Sequence, residues 1–469
     1  MTEAHPVARP CEAVTDRDRR LILATSILAS LLGNMGFTGL NLGLPDMERD
    51  LGLSAVMLGW IPLSLFLPMA VIAAPGARLA DILGRRRTTL AGLAAAITGF
   101  VICALSGDVR TLLAGRVVSG LGLAMAFTNL MAMVTSVHPP QKRGRVLGYT
   151  ISAVYIGLSL GPAACGFLVG WFGWRALFWV SALGFMPSLA LILMVRLEQR
   201  PARHETFDGL GAALWAAAIM VFFCGLSAVT RPAGPPAAIL GLLLGWAYVR
   251  HSLGRTQPIL DVRLFTHSRR FAFSSLAAFI SYSASTGLGL LLSLYLQYNK
   301  GLSVTQAGFL LMAQPVCQAF LTPFAGRLSD RLDPGLLASA GMAFLGLTIA
   351  VLALALTPDT STPAFLGLLV CLGLGFATFS APNSNAIIGS APPDKVGQAS
   401  GTITATRLCG QAFSLALTTL VFSLVIGPGL ITPDRYPDFM RAATACFAVF
   451  APLCLAGVAA SLARGRPPA

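Results

Sequence analysis

Charge is what this chain lacks. Only 11% of its 469 residues are charged, while 55% are hydrophobic. A soluble domain carries roughly 25% charged residues, so this chain cannot cover its own surface in water. Lipid must do so, and in lipid only helices and closed barrels satisfy the backbone. Barrels read as alternating segments of roughly ten residues. Here apolar runs continue for about 20 residues, the length a helix needs to cross the hydrocarbon. Lysine is scarcer still. Lys142, Lys300 and Lys395 are the whole set, and none stands in a GxxxxGK phosphate loop, which excludes an ATP-driven pump on this chain. No TVGYG-like filter points to a potassium-type channel, and no CxxC pair to a metal or redox centre. No His/Asp/Glu or Cys/His cluster inside the apolar runs points to an enzyme. The scattered cysteines read as small membrane-buried hydrophobes.

What is present is a series of fourteen apolar runs. They are expected near 20–44, 54–74, 88–106, 111–134, 146–170, 174–195, 208–229, 236–252, 270–297, 304–325, 334–356, 364–386, 399–426 and 439–462. The first is too long for a signal-peptide core and follows Arg17, Arg19 and Arg20, so it is expected as an uncleaved span. The eighth is short and ends in Tyr248-Val249-Arg250. An even count puts both termini on one side. That side collects 24 basic residues against 7 on the other, with Arg116 and Arg407 left inside spans. The positive-inside rule makes the basic side cytoplasmic. The formal charge of +14 is therefore topology, and no nucleic-acid partner is expected.

The sequence also repeats itself. Pro139-Pro140-Gln141-Lys142 through Gly148, after span 4, matches Pro392-Pro393-Asp394-Lys395 through Gly401, after span 12. Gly157 meets Gly410 at the same offset of 253, and Leu79-Ala80-Asp81 meets Leu328-Ser329-Asp330 at 249. Six spans with loops take roughly 190–200 residues, so the offset leaves room for two more helices. The expected fold is all-α: an N-terminal tail at 1–19, a six-helix bundle at 20–195, a linker with two extra spans at 196–269, a second six-helix bundle at 270–462, and a tail at 463–469.

With this layout the sequence resembles the major facilitator superfamily, and most closely its fourteen-span drug:proton antiporter branch, over nearly the whole chain. The stretch Ala77-Arg78-Leu79-Ala80-Asp81-Ile82-Leu83-Gly84-Arg85-Arg86 matches the family signature after span 2. The resemblance makes Asp81, Gly84, Arg85 and Arg86, with Asp330 and Arg331 in the second half, candidates for a gate latch. The alternative is plain topological charge. Span 4 carries Arg116 in a family-like setting, with Ser119 for the usual Gln. A membrane arginine is either functional or snorkels to the interface. In span 5, Gly157, Gly161, Pro162 and Gly166 match an exporter-type pattern, with Cys165 for one Gly. They read as a hinge or as a small-residue packing seam. In span 1 the match breaks: Thr38, Asn41, Leu44 and Pro45 fit, but Gly36 stands where the family places an acid.

That acid is the family's candidate proton carrier, and nothing replaces it. All 19 acids and 5 histidines lie outside the span interiors. Asp46, Glu48 and Asp50 are assigned to the loop after span 1, and Asp81, Asp208 and Asp330 to span margins. Polar groups inside the spans are candidates for binding substrate: Asn34, Thr38, Asn41, Arg116, Asn129, Tyr155, Tyr282, Gln314, Gln318, Asn383, Arg407 and Gln411. Each could equally serve interhelical hydrogen bonding. Among them Arg407 stands out, suited to an anionic or carbonyl-rich substrate unless it snorkels. The resemblance implies a secondary transporter of the bacterial inner membrane that exports small amphipathic molecules as a monomer. The alternatives are a proton-independent facilitator and a receptor of the same fold. Its partners would be the substrate, the bilayer and, if coupled, protons; no cofactor or metal is expected.

Overall fold

The computed structural model describes residues 14–202, 205–329, 331–390 and 396–464. Asp330, Asp394 and Lys395 lie outside the described residues. Every regular element among the described residues is helical. Span 1 is α1 (Asp16–Gly39), which passes through a 3₁₀ turn (Leu40–Gly43) into the short α2 (Leu44–Leu51). Spans 2 to 6 are α3 (Ala55–Leu83), α4 (Arg85–Ala104), α5 (Val109–Val137), α6 (Pro140–Phe172) and α7 (Arg175–Met194). Spans 7 and 8 are α8 (Gly209–Ser227) and α9 (Gly234–Leu253). After α10 (Arg263–His267) comes span 9, α11 (Arg269–Tyr298). Span 10 is the pair α12 (Val304–Leu311) and α13 (Ala313–Ser329), and spans 11 to 14 are α14 (Pro334–Ala355), α15 (Thr362–Ile388), α16 (Val396–Val425) and α17 (Tyr436–Ala463).

Among the described residues, thirteen segments are long and apolar enough to cross a bilayer. The expected eighth crossing, α9, is not among them. Pro235 and Pro236 at its start and Arg250, His251 and Ser252 at its end dilute its apolar run. It nevertheless forms a helix of 20 residues lying along α8. At 1.5 Å per residue that is roughly 30 Å, the thickness of the hydrocarbon. Its place in a count of fourteen rests on that length and pairing. Elsewhere helices extend past the apolar runs, as α5 does on both sides of 111–134, because a helix continues into the headgroup region after its hydropathy falls.

Lipid supplies no hydrophobic drive to pack one helix on another, so close backbone approach must do it. Along α4 and α5, Gly92 and Gly99 face Gly115, Ser119 and Gly122. A Cβ on Gly99 would collide with the Ser119 amide and lie 2.6 Å from the Gly115 carbonyl. α1 and α3–α7 pack as one group, α11–α17 as another, and the α8–α9 pair leans on α3 and α16.

The sequence repeat becomes geometry at its matched glycines. Gly157 lets α6 meet the Leu31 carbonyl of α1; Gly410 lets α16 meet the Phe279 carbonyl of α11, where a Cβ would sit 2.7 Å away. Between the groups, α3 packs on α16 and α6 on α12. Since span 2 corresponds to span 10 and span 5 to span 13, these two seams are images of one another.

The cost of crowding gives a test. Gly99→Ala should lower the thermal stability of the detergent-solubilised protein by about 1–3 kcal/mol, the usual cost of overpacking. Gly148→Ala, with nothing within 4 Å of the added Cβ, should be neutral or stabilising by about 0.5–1 kcal/mol. Unfolding curves and monodispersity on size exclusion read both.

Candidate functional site

The face that carries the start of α1 is the basic face; the face that carries α2 is the far face. Hydrogen bonds between the two groups of helices gather in the far half. Glu48, on α2 and only 4% exposed, accepts from the Ile431 amide at 2.8 Å and from the Tyr298 hydroxyl at the end of α11. The Ala55 amide donates to the Gly429 carbonyl at 3.0 Å, and Ser293 Oγ to the Asn41 carbonyl at 3.0 Å. Thr305 Oγ1 donates to the Gly166 carbonyl at 3.2 Å. Gly59 abuts Thr419, and Gly308 abuts the Pro162 carbonyl. The far half is thus sealed. In the basic half, Gly148 on α6, Gly326 on α13 and Gly401 on α16 each have nothing within 4 Å of an added Cβ. The two groups separate there into a groove.

At the head of this groove stands Tyr155, midway along α6. Its phenol lies beside Thr322 on α13, Ser380 on α15, Tyr282 of α11 and Arg407 of α16. Arg407 is exposed. Of the expected binding residues, these are the ones the fold brings together from both groups. Gln314, Gln318 and Gln411 are half-buried on α13 and α16. Asn34 and Thr38 lie on the face of α1 that α6 covers: Gly157 sits against Asn34 and Gly161 against Thr38. Their side chains bond their own helix, Asn34 Nδ2 to the Ser30 carbonyl at 2.7 Å and Thr38 Oγ1 to the Asn34 carbonyl at 3.2 Å. Asn383 is buried inside the second group, donating to the Ser274 carbonyl at 3.0 Å, and Asn129 is buried on α5. Thr322 and Ser380 were missed in sequence, because single hydroxyls in apolar runs carry no pattern.

The basic-face cluster closes within the first group. Asp81 Oδ1 accepts from Arg85 Nε at 2.8 Å, and Arg85 Nη1 reaches the Ala132 carbonyl at 3.3 Å. Gly84 adopts φ 121°, and any side chain there would strike Glu198. Glu198, absent from the expected cluster, accepts from the Arg86 amide at 3.1 Å, while Arg86 Nη2 donates to the Leu193 carbonyl at 3.0 Å. The Ala202 amide donates to the Asp81 carbonyl at 3.1 Å. The cluster therefore ties the α3–α4 turn to the segment entering the linker. In the second half Arg331 is exposed, its amide bonded to the Leu328 carbonyl.

One sequence reading changes. Glu48 is not in a loop: α2 continues the first helix, and Pro45 at its first turn followed by Asp46 is the helix-start signal that would have revealed it. The span 5 glycines face two ways. Gly157 and Gly161 pack on α1, and Gly166 lies against α12, 2.8 Å from the Val304 carbonyl to an added Cβ. α6 is one continuous helix through Pro162.

Comparison with known proteins agrees with this architecture. The chain is 24% identical to the riboflavin transporter RibZ of Clostridioides difficile (strain 630), over 94% of this chain and 96% of that one. It is 27% identical to a multidrug resistance protein B homolog of Mycobacterium tuberculosis, covering 85% and 75%, and 28% identical to a probable actinorhodin transporter of Streptomyces coelicolor, covering 86% and 72%. Among solved structures, the peptide transporter POT with alafosfalin superposes with a TM-score of 0.69 at 17% identity, over 95% of each chain. A bacterial homolog of the human lysosomal transporter Spinster, inward-facing and unoccupied, gives 0.67 at 17% identity, over 97% of this chain and all of that one. The sequence pattern of the Major Facilitator Superfamily matches residues 26–254 and 274–469. With its repeated helical halves, imaged seams and one-sided groove, this chain belongs to that superfamily of membrane transporters.

Proposed function

We propose that this protein exports small amphipathic molecules across the bacterial inner membrane by alternating access, with the basic face cytoplasmic and both termini on that side. The observation that carries the reading is the groove: open on the basic face, headed by Tyr155, Tyr282 and Arg407, and sealed on the other face through Glu48. A substrate entering from the basic face would reach two phenols, two hydroxyls and a guanidinium in an apolar wall, which suits an aromatic, carbonyl-rich or anionic molecule. Relatives named for riboflavin, actinorhodin and multidrug resistance support a small organic substrate. The Asp81–Arg85–Glu198 cluster acts as an anchor that keeps the first bundle and the linker moving as one body. The glycine faces of α6, on α1 and on α12, give the rocking element.

A second reading concerns energy. Gly36 stands in span 1 where a proton carrier would be, which favours a facilitator that runs down the substrate gradient. Among the described residues Glu48 is the carboxylate buried between the bundles, with Tyr298 and Arg49 beside it, and it serves the seal rather than coupling.

Three outcomes are expected in proteoliposomes. Arg407→Ala should raise the KM for anionic substrates by about tenfold or more, the loss of one charge-assisted bond, and leave cationic ones less affected; equal effects on both would remove Arg407 from the site. Glu48→Ala should raise the labelling rate of an Ala55→Cys reporter by membrane-impermeant maleimide, by about tenfold for a lost charged hydrogen bond; unchanged labelling would separate Glu48 from the seal. Flux down a substrate gradient should survive collapse of the pH gradient by a protonophore. Loss of flux to background would overturn the facilitator and restore proton coupling.

A further inference from the structure

Arg116 is buried in the first bundle without a counter-charge. It is 3% exposed, and among the described residues its side chain makes one hydrogen bond, from Nε to the Ile61 carbonyl at 3.3 Å. Its Nη groups have no hydrogen-bond partner among the described residues. The Phe178 ring centroid lies 6.0 Å from its Cζ, and the titratable side chain nearest in electrostatic effect is the neutral thiol of Cys103. No acid faces it.

Beside it is a cavity of about 40 Å³, lined by Gly36, Arg116, Phe178, Ser181 and Cys165 among apolar neighbours. A water needs roughly 10–15 Å³ of such space, so the cavity admits a group of a few heavy atoms, the size of a small anion, and no drug-sized substrate. Its floor at Gly36 differs from the neighbouring glycines of α1. A Cβ at Gly33 would collide with Phe127 and one at Gly39 with Cys165, whereas one at Gly36 would meet nothing closer than Ser181 Oγ, 3.7 Å away. Packing does not demand glycine at this position. The space is vacant of protein, next to a cation that can donate further hydrogen bonds. A buried charge that lacks a partner is costly, and a guanidinium presents a fork suited to anions.

We propose that the cavity beside Gly36 and Arg116 binds one small monovalent anion, chloride or a carboxylate the size of formate, which supplies the counter-charge that the first helix lacks. The Arg116 Nη groups would hold the ion, and the Ser181 hydroxyl, which now donates to the Leu177 carbonyl at 2.7 Å, could turn toward it. The site needs no transported substrate, so binding can be measured apart from flux.

The test uses the purified full-length protein in detergent, with chloride exchanged for gluconate at constant ionic strength. Radiolabelled chloride should bind saturably at one ion per chain, formate should displace it, and the melting temperature should rise as chloride replaces gluconate. Gly36→Asp places a tethered carboxylate in the cavity. Like-charge repulsion should weaken chloride binding by at least about tenfold, and the variant in gluconate should melt where the wild type melts in chloride. Arg116→Gln should abolish binding. An absence of saturable chloride binding in the wild type would overturn the site, and so would binding that survives Arg116→Gln or is unchanged in Gly36→Asp. The wild-type measurement decides the question if either variant fails to fold.

Discussion

Helices in hydrocarbon gain nothing by hiding apolar surface from one another, so the distance of closest backbone approach decides which of them hold together. In this protein that distance is set by glycine. Where Gly99 and Gly122 face each other's helices, α4 and α5 lock within one bundle. Where Gly59 meets Thr419 and Gly166 meets Val304, the bundles lock to each other. The first kind of contact runs the length of its helices. The second is confined to the far half, since Gly148, Gly326 and Gly401 on the basic half touch nothing. A molecule with rigid halves and a one-sided seam can rock about the midplane without repacking either half. The midplane is where Tyr155 meets Thr322 and Ser380.

Charge obeys the same solvent. Acids and bases are driven to the faces, where they pair locally: Asp81 with Arg85, Asp50 with Arg175, Asp208 with His251. The two that stay between faces have different environments. Arg407 is exposed to the groove, where water or substrate can solvate it. Arg116 is sealed inside a bundle. Insertion scales put an arginine at the helix centre at roughly 2.5–3.5 kcal/mol; Arg116, in the first third of α5, bears a smaller cost, which an anion in the adjacent cavity would offset.

Helix positions and the duplicated plan were legible in the sequence, because hydrophobic run length and a repeated loop motif are local signals. The sealed face was not, since it is made by residues remote in sequence, Glu48 with Tyr298 and Ile431, and no local pattern announces such a meeting. Hydropathy also stopped the first span before α2 and so placed Glu48 in a loop. The substrate residues divided for a similar reason. Helical spacing put Asn34, Thr38 and Asn41 on one face, but it could not say that α6 would cover Asn34 and Thr38. Tyr155, Tyr282 and Arg407 share no spacing, and only the tertiary fold unites them.

The seal also bounds how the cycle can be driven. Bonds to a charged group contribute about 1.5–3 kcal/mol and neutral ones about 1 kcal/mol, so Glu48 and the three neutral bonds near it amount to several kcal/mol. Reversing a two-state equilibrium from 99:1 to 1:99 takes about 5.5 kcal/mol of differential affinity. The two quantities are comparable, so a substrate that binds the far-open form better, through both bundles at once, could open the seal unaided. In span 1 a proton carrier would add to that drive, but Gly36 carries no charge to release. A seal much stronger than this would demand more drive than a differential affinity of that size supplies.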